Sequence, residues 1–298
     1  MSEHIITPAR YSIAGDEFLF VEISEEMSLE AFFRSISITQ RLEVESLDGV
    51  QEICAANASY QVRFDPDVLS VDVLIARLKA LDIEVIQQSV RRLETRVIDV
   101  PVLYNDPWTH ETLMRFRDRH QDPEGTDLEY AAHINGFNSV EDFIEAHSAS
   151  PWFVSMVGFV AGLPFMYQMV PRERQIQVPK YLRPRTDTPK QTVGYGGCFS
   201  CIYSVRGAGG YQMFGVTPMP IYDPAQTQQH IDDTMIFFRP GDIVRYRPVE
   251  RAEYDQLVVL AEEGRYRPRV AAFTFDLDAF NRDPDRYAQE VKEVFSEH

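Results

Sequence analysis

From Glu17 to Ile23 the chain reads EFLFVEI, a dense run of strand formers preceded by Gly15-Asp16. This pattern predicts two short strands over Arg10–Ser24 with a turn between them. Leu29, Phe32, Phe33 and Ile36 then recur at helical spacing behind Ser28, an N-cap residue, so a helix is expected to about Arg41. Gly49–Asn57 and Ser59–Phe64 read as a hairpin closed by Asp65-Pro66, and Val71–Leu81 as an amphipathic helix. Val90–Val100 (VRRLETRVIDV) alternates apolar and polar, as a half-buried strand does. The order β-α-β-β-α-β predicts a small sheet with helices on one face, placed at residues 1–100.

The next stretch is polar, aromatic and charged, with a short helix expected over Thr109–His120. Thr126 or Asp127 caps the helix DLEYAAHI, which Gly136 ends, and Ser139 caps VEDFIEAH, ending near His147. Residues 101–150 are therefore read as a helical linker carrying an insert. A strand follows at Trp152–Phe159. From Val193 to about Pro248 β-formers alternate with turns every 8 to 12 residues, the spacing of a closed β-structure, placed at 151–270. The tail, 271–298, is read as a terminal helix over Asp283–Phe295.

Composition changes this picture in one place. The chain has 298 residues, 44% hydrophobic and 25% charged, with a net charge of −17. That length suits about two domains, and that charge argues against a nucleic-acid surface. No run approaches the apolar length of a membrane span, and MSEHIITPAR lacks a secretory core, so a cytoplasmic, non-membrane protein is expected. Three cysteines suit a reducing compartment. Cys198 and Cys201 form a C-x-x-C with no second pair or nearby histidine, so buried thiols are expected and no metal site. Against this acidic background, Arg172–Lys190 carries six cations and two acids. Beside it, seven of the 15 glycines fall within Gly194–Gly215. Glycine allows positive φ and close approach of a ligand to backbone, so this basic, glycine-rich patch is the predicted functional region.

The motifs along the chain resemble one family. They are Gly15-Asp16, Ser59-Tyr60 with Phe64-Asp65-Pro66, Ile98 to Tyr104, Thr126-Asp127-Leu128-Glu129, and His147 followed by Met156-Val157-Gly158-Phe159 and Gly162-Leu163-Pro164-Phe165. The strongest run is Arg183-Pro-Arg-Thr-Asp-Thr-Pro, Val193-Gly194, Gly196-Gly197, Ile202-Tyr203, Gly209-Gly210-Tyr211-Gln212 and Gly215-Val-Thr-Pro, with Phe238 to Asp242 beyond it. In these the chain is similar to the B subunit of bacterial 5-oxoprolinase, also called allophanate hydrolase subunit 1. The family includes Kip-type kinase inhibitors and the carboxyltransferase region of urea carboxylase. The resemblance implies an α+β chain: a ferredoxin-like N-terminal domain and a cyclophilin-like β-barrel. It implies a subunit of a heteromeric, ATP-dependent enzyme on amide, lactam or urea C–N bonds, inactive alone. Its partner would be of the 5-oxoprolinase C subunit or allophanate hydrolase subunit 2 type. In the carboxylase branch, biotin arrives on a carrier domain beside a biotin carboxylase. The rival reading is a regulatory binder of the histidine-kinase-inhibitor type. Ala161 stands where the family has proline, and residues 105–125 and the tail have no counterpart in compact members.

Candidate chemistry follows from residue type. Arg183 and Arg185 would grip a carboxylate or phosphate. The Gly196-Gly197 and Gly209-Gly210 turns are candidate backbone N–H donors. Gln212 would read an amide, and His147 and Tyr203 are the candidate proton handlers. Asp127 and Glu129 read as helix-end acids, and Asp242 as a turn acid. Trp108, Phe116 and the neighbouring arginines of the insert read as an interface. The chain has no G-x-x-x-x-G-K-[ST] and no H-E-x-x-H, so a standard phosphate loop is not expected, and it has no Met-Lys-Met, so it does not carry biotin itself. The resemblance implies ATP at the level of the complex and biotin on a partner's carrier domain.

Overall fold

The structure is a computed structural model that describes residues 8–88 and 91–295. The chain forms two compact units, one up to Leu93 together with Asp276–Asp278, the other from Glu94 to Phe275 and from Ala279 onward.

The first unit contains β1 (Arg10–Ala14), β2 (Phe18–Glu22), α1 (Leu29–Glu45), β3 (Val50–Ala56), β4 (Ser59–Phe64) and α2 (Val71–Gln88). Ser28 caps α1, its Oγ accepting the Ala31 N–H at 3.1 Å. The apolar stripe of α1 buries Ala31, Ile38 and Leu42, and α2 buries Leu74, Leu78 and Leu81, against Leu19, Val21, Tyr60 and Val62 of the sheet. Between the helices the Arg34 guanidinium forks onto Asp82 at 2.7 and 2.6 Å. The strands run antiparallel in the order β1-β2-β4-β3. The expected last strand of this sheet is absent from it. Val90 lies outside the described residues, and β5 (Arg92–Tyr104) belongs to the other sheet, while β1 occupies the edge beside β2. The reason is burial: Val97 to Val102 is a continuous buried run, which needs neighbours on both faces.

The second unit continues with α3 (Pro107–Arg115), α4 (Asp127–Ile134), α5 (Val140–Ala149), β6 (Pro151–Val157), β7 (Pro164–Gln168), β8 (Arg185–Thr188), β9 (Thr192–Gly196) and β10 (Phe199–Ile202). It ends with β11 (Gly207–Gly209), β12 (Gln212–Val216), β13 (Ile243–Pro248), α6 (Arg251–Glu262), β14 (Arg269–Asp276), α7 (Leu277–Arg282) and α8 (Pro284–Glu293). Strand order β12-β9-β10-β7-β6-β13-β5 returns to β12 through Val216↔Leu103 and Gly215↔Tyr104, which closes the sheet into a barrel. Only glycine fits at that seam: a Cβ on Gly215 would run into the Leu103 carbonyl. β14 adds an eighth strand beside β5. The closed β-structure is thus present, but β5, which pairs in parallel with β13, and most of β14 lie outside the segment 151–270 expected from sequence.

The barrel core is aromatic. His147, at the end of α5, is fully buried among Phe143, Trp152, Tyr195, Phe214 and Tyr246, and its Nδ1 shares a hydrogen bond with the Tyr104 hydroxyl at 2.8 Å. Asp242 is the turn acid that sequence suggests, accepting from the Arg239 N–H and from Arg96. No helix among the described residues is long and apolar enough to cross a membrane.

Candidate functional site

One wall of the second unit holds a cavity of about 370 Å³ bounded by Phe159, Leu163, Phe165, Tyr203, Tyr211 and the Gly209-Gly210 backbone, and Lys180 gives its lining a cation. The glycines build it by what they lack. A Cβ on Gly196 would collide with the Tyr211 ring, and one on Gly209 with the Tyr203 hydroxyl. Both tyrosines pack against bare backbone, and the Lys180 ammonium sits 5.2 Å from the centroid of Tyr211. The glycines therefore seat aromatic rings. Gly197 does supply a positive φ, of 66°, but its N–H is donated to the Val178 carbonyl at 2.7 Å.

Behind the cavity wall lies Arg185. It is fully buried, its guanidinium carbon 4.3 Å from the centroid of Tyr181, and its Nε donates to Thr188 Oγ1 at 3.2 Å. Nη1 and Nη2 have no hydrogen-bond partner among the described residues. Buried arginine is normally paired, because an uncompensated interior charge is costly. Burial pushes the Tyr203 phenol well above its ordinary range while the nearby Arg185 charge pulls it back. Tyr203 is therefore a protonated hydroxyl at neutral pH, a donor and not a ready base.

Tyr181 is held from its far side. Its hydroxyl donates to Asp127 Oδ1 at 2.6 Å, and Asp127 Oδ2 accepts the Met213 N–H at 2.5 Å. His120 Nε2 lies 3.3 Å from Asp127 Oδ1 and 2.9 Å from Gln212 Oε1. Gln212 gives its amide hydrogens to Gln121 Oε1 and the Pro179 carbonyl, and Gln121 donates to the Lys180 carbonyl. Burial, the largest single influence, opposes a charge on His120, but the Asp127 carboxylate together with the Asp122 backbone and Gln212 raises the imidazole above its ordinary value.

The sequence candidates thus separate. Tyr203, Gly209 and Gly210 line the cavity, and Arg185 stands behind it. Gly196 seats Tyr211. Gln212 is buried in the Asp127 network, with its amide already used. Arg183 is exposed and paired with Asp118 at 2.8 Å. His147 is sealed in the barrel core, where burial lowers its pKa to about 3. Sequence reasoning missed Lys180, Tyr181 and His120. Asp127 was visible only as a helix-end acid, because α4 already has its cap in the Thr126–Glu129 capping box. Within this chain the insert makes contacts of its own: Trp108 meets Tyr254 at a tilted angle, Arg251 covers Trp108, and Arg119 donates to the Pro184 carbonyl. Cys201 lines the cavity and burial raises its thiol pKa, while Cys198 is half-buried. Among the described residues no group of three or more His, Cys, Asp or Glu is arranged to hold a metal.

Comparison with known proteins places this architecture. Residues 9–231 match the family described as carboxyltransferase domain, subdomain C and D. The chain belongs to that family. Among its carboxyltransferase-domain relatives is the 5-oxoprolinase B subunit of Escherichia coli O157:H7, 28% identical over 240 residues, covering 80% of this chain and 96% of the relative. Urea amidolyase of Lachancea kluyveri is 26% identical over 270 residues, 89% of this chain. The chain spans only 15% of that relative's length. The crystal structure of the K. lactis urea amidolyase superposes with a TM-score of 0.82 over 95% of this chain and 18% of its own, at 24% identity, a likeness of fold. The carboxyltransferase-domain fold therefore occurs both as a chain of this size and as one segment of a much longer enzyme.

Proposed function

We propose that this chain is one half of an ATP-dependent enzyme acting on C–N bonds of an amide, lactam or urea, either as a carboxyltransferase or as a 5-oxoprolinase-like hydrolase. We read the barrel as cyclophilin-like, and the first unit as a ferredoxin-like variant with β1 at the edge where β5 was expected. The observation that carries the functional reading is the aromatic cavity of about 370 Å³ backed by a buried arginine with two unpartnered nitrogens. Flat apolar walls suit a planar amide or ureido group. Lys180 polarises its carbonyl oxygen, the Tyr203 hydroxyl donates to it, and Arg185 receives an anionic group. Biotin on a partner's carrier domain would fit the same walls, Tyr203 and Tyr211 against its ring and Lys180 at its carbonyl. When bound it supplies the carboxyl group to be transferred. ATP is used elsewhere in the complex, since this chain carries no phosphate-binding loop.

The second polypeptide, of the 5-oxoprolinase C subunit or allophanate hydrolase subunit 2 type, closes the cavity and brings the base. Its docking on this face is supported by Phe159 and Leu182, both 70% exposed, one on the cavity wall and the other between the cavity residues Tyr181 and Pro184. A cytoplasmic location accords with this chemistry.

The test is reconstitution. The chain alone, the chain with its partner, and both with biotin carboxylase and carrier are supplied with ATP, bicarbonate and candidate lactams or ureas, and phosphate release and product are followed. Turnover is expected only with the partner, and Lys180→Ala should lower it about a hundredfold. Absence of turnover in every combination rejects the reading.

A further inference from the structure

The Asp127 network lies outside the cavity and buries two ionisable side chains and an amide. It reaches the proposed site through the Tyr181 hydroxyl. A helix needs none of it. α4 is capped by Thr126, whose hydroxyl accepts from the Glu129 N–H, and by the Glu129 carboxylate on the Thr126 N–H. Asp127 is turned inward instead, 3% exposed, with one oxygen on β12 at Met213 and the other on Tyr181.

We propose that Asp127 is a positioning residue for the anion receptor of the site. Its carboxylate fixes the Tyr181 phenol. The fixed ring face holds the Arg185 guanidinium 4.3 Å from its centroid, and only the Nε–H is spent, on Thr188. Nη1 and Nη2 are thereby kept for an incoming carboxylate-like group. His120 and Gln212 complete the device. His120 bonds Asp127 and Gln212 on one side and the Asp122 backbone on the other, and Gln212 ties them to the Pro179 carbonyl, so the segment that carries Lys180 and Tyr181 is anchored to the same cluster. The inference rests on the reading above only for the location of the site; it needs no partner and no turnover.

The experiment uses the full chain alone, with sodium acetate as the probe. Binding is followed by NMR at the arginine Nε–H resonances, with Arg185 assigned by its loss in Arg185→Lys. In the wild-type chain the Arg185 resonance should be shifted by the Tyr181 ring current and should move further on acetate addition. Asp127→Asn preserves shape and can still accept the Met213 N–H, and Tyr181→Phe preserves the ring and removes only the hydroxyl. Each should lose the ring-current shift and weaken acetate binding about tenfold, and the double variant should be no weaker than either single one. Thermal midpoints recorded in parallel separate this from unfolding, and Tyr181→Phe keeps the test open if Asp127→Asn folds poorly. Unchanged shift and affinity in both folded variants overturns the inference alone. Failure of the wild-type chain to bind acetate at Arg185 removes the anion receptor and the inference with it, yet leaves the cavity and its partner-dependent chemistry to the reconstitution assay.

Discussion

Two buried histidines of this chain respond to pH in opposite directions. His147 sits in an apolar cage with its pKa lowered to about 3, so the unfolded chain binds a proton that the folded chain refuses. Its contribution is complete above the ordinary histidine value near 6.5 and is lost as pH falls toward 3, with a limiting slope of about 1.4 kcal/mol per pH unit. His120 is raised by Asp127, so its contribution is complete below the ordinary value and is lost as pH rises through the folded one. Urea unfolding between pH 4 and 9 should show His147→Gln flattening the acid limb and His120→Gln flattening the limb above pH 6.5. Parallel curves for wild type and both variants would contradict this assignment. These residues also mark what sequence reveals. Tyr203, Gly209 and Gly210 read from one glycine-and-aromatic stretch as a proton handler and backbone N–H donors; the structure brings them to one cavity, where the bare Gly209 makes room for the Tyr203 side chain. His147 looked like a proton handler because its helix was visible and the aromatic cage around it, drawn from five separate elements, was not. Asp127 was hidden by a sufficient local explanation, while its partner Tyr181 lies 54 residues along the chain.

At the scale of elements, the glycine-rich strands determine the cavity's shape. Gly209 on β11 has no room for a methyl group because the Tyr203 hydroxyl occupies the space, whereas Gly197 faces open space and is constrained only by its φ of 66°. Gly209→Ala should therefore push Tyr203 aside, costing about 1–3 kcal/mol by overpacking and changing the cavity. Gly197→Ala should cost about 1–2 kcal/mol from the left-handed backbone alone and leave the cavity intact. Chemical denaturation gives the two costs, and the Tyr203 ring resonances report whether that ring moved; resonances changed equally by both substitutions would refute the distinction. The elements themselves were mostly legible, since α1, α5 and the β3–β4 hairpin carry caps and turns in their local sequence. The membership of β5 was not. An alternating strand suits either sheet, and the choice was made by the buried run from Val97 to Val102, which pairs with β13 some 146 residues away. Helix α6 escaped as well, although Tyr254, Leu257, Val258 and Ala261 stand at helical spacing and Leu257 and Ala261 pack half-buried on the core.

For the whole molecule, two of the six cations of the basic stretch that stood out in an acidic chain are paired with acids from elsewhere, Arg183 with Asp118 and Arg174 with Asp285, while the stretch's own Asp187 is taken by Arg115 and Arg206. Beside these charges, the rim of the cavity exposes apolar surface at Phe159 and Leu182. Phe159 connects that surface to folding. It holds a φ of 69° while 70% exposed, an arrangement that costs a bulky residue about 1–2 kcal/mol and gains little burial within the chain. If a second polypeptide covers it, the lost energy is recovered at the interface, where burying one such ring contributes about 1.5–3 kcal/mol. Phe159→Gly should then have opposite effects on two measurements. Unfolding free energy of the isolated chain should rise by up to about 1 kcal/mol, the relieved backbone being partly offset by glycine's greater freedom when unfolded. Affinity for the proposed partner, measured by calorimetry, should fall about tenfold to a hundredfold, and Leu182→Ala, which relieves no strain, should weaken binding without the gain in stability. Retained affinity in both variants would mean that the partner docks elsewhere, and a Phe159→Gly chain less stable than wild type would mean that the ring serves the fold and not the interface.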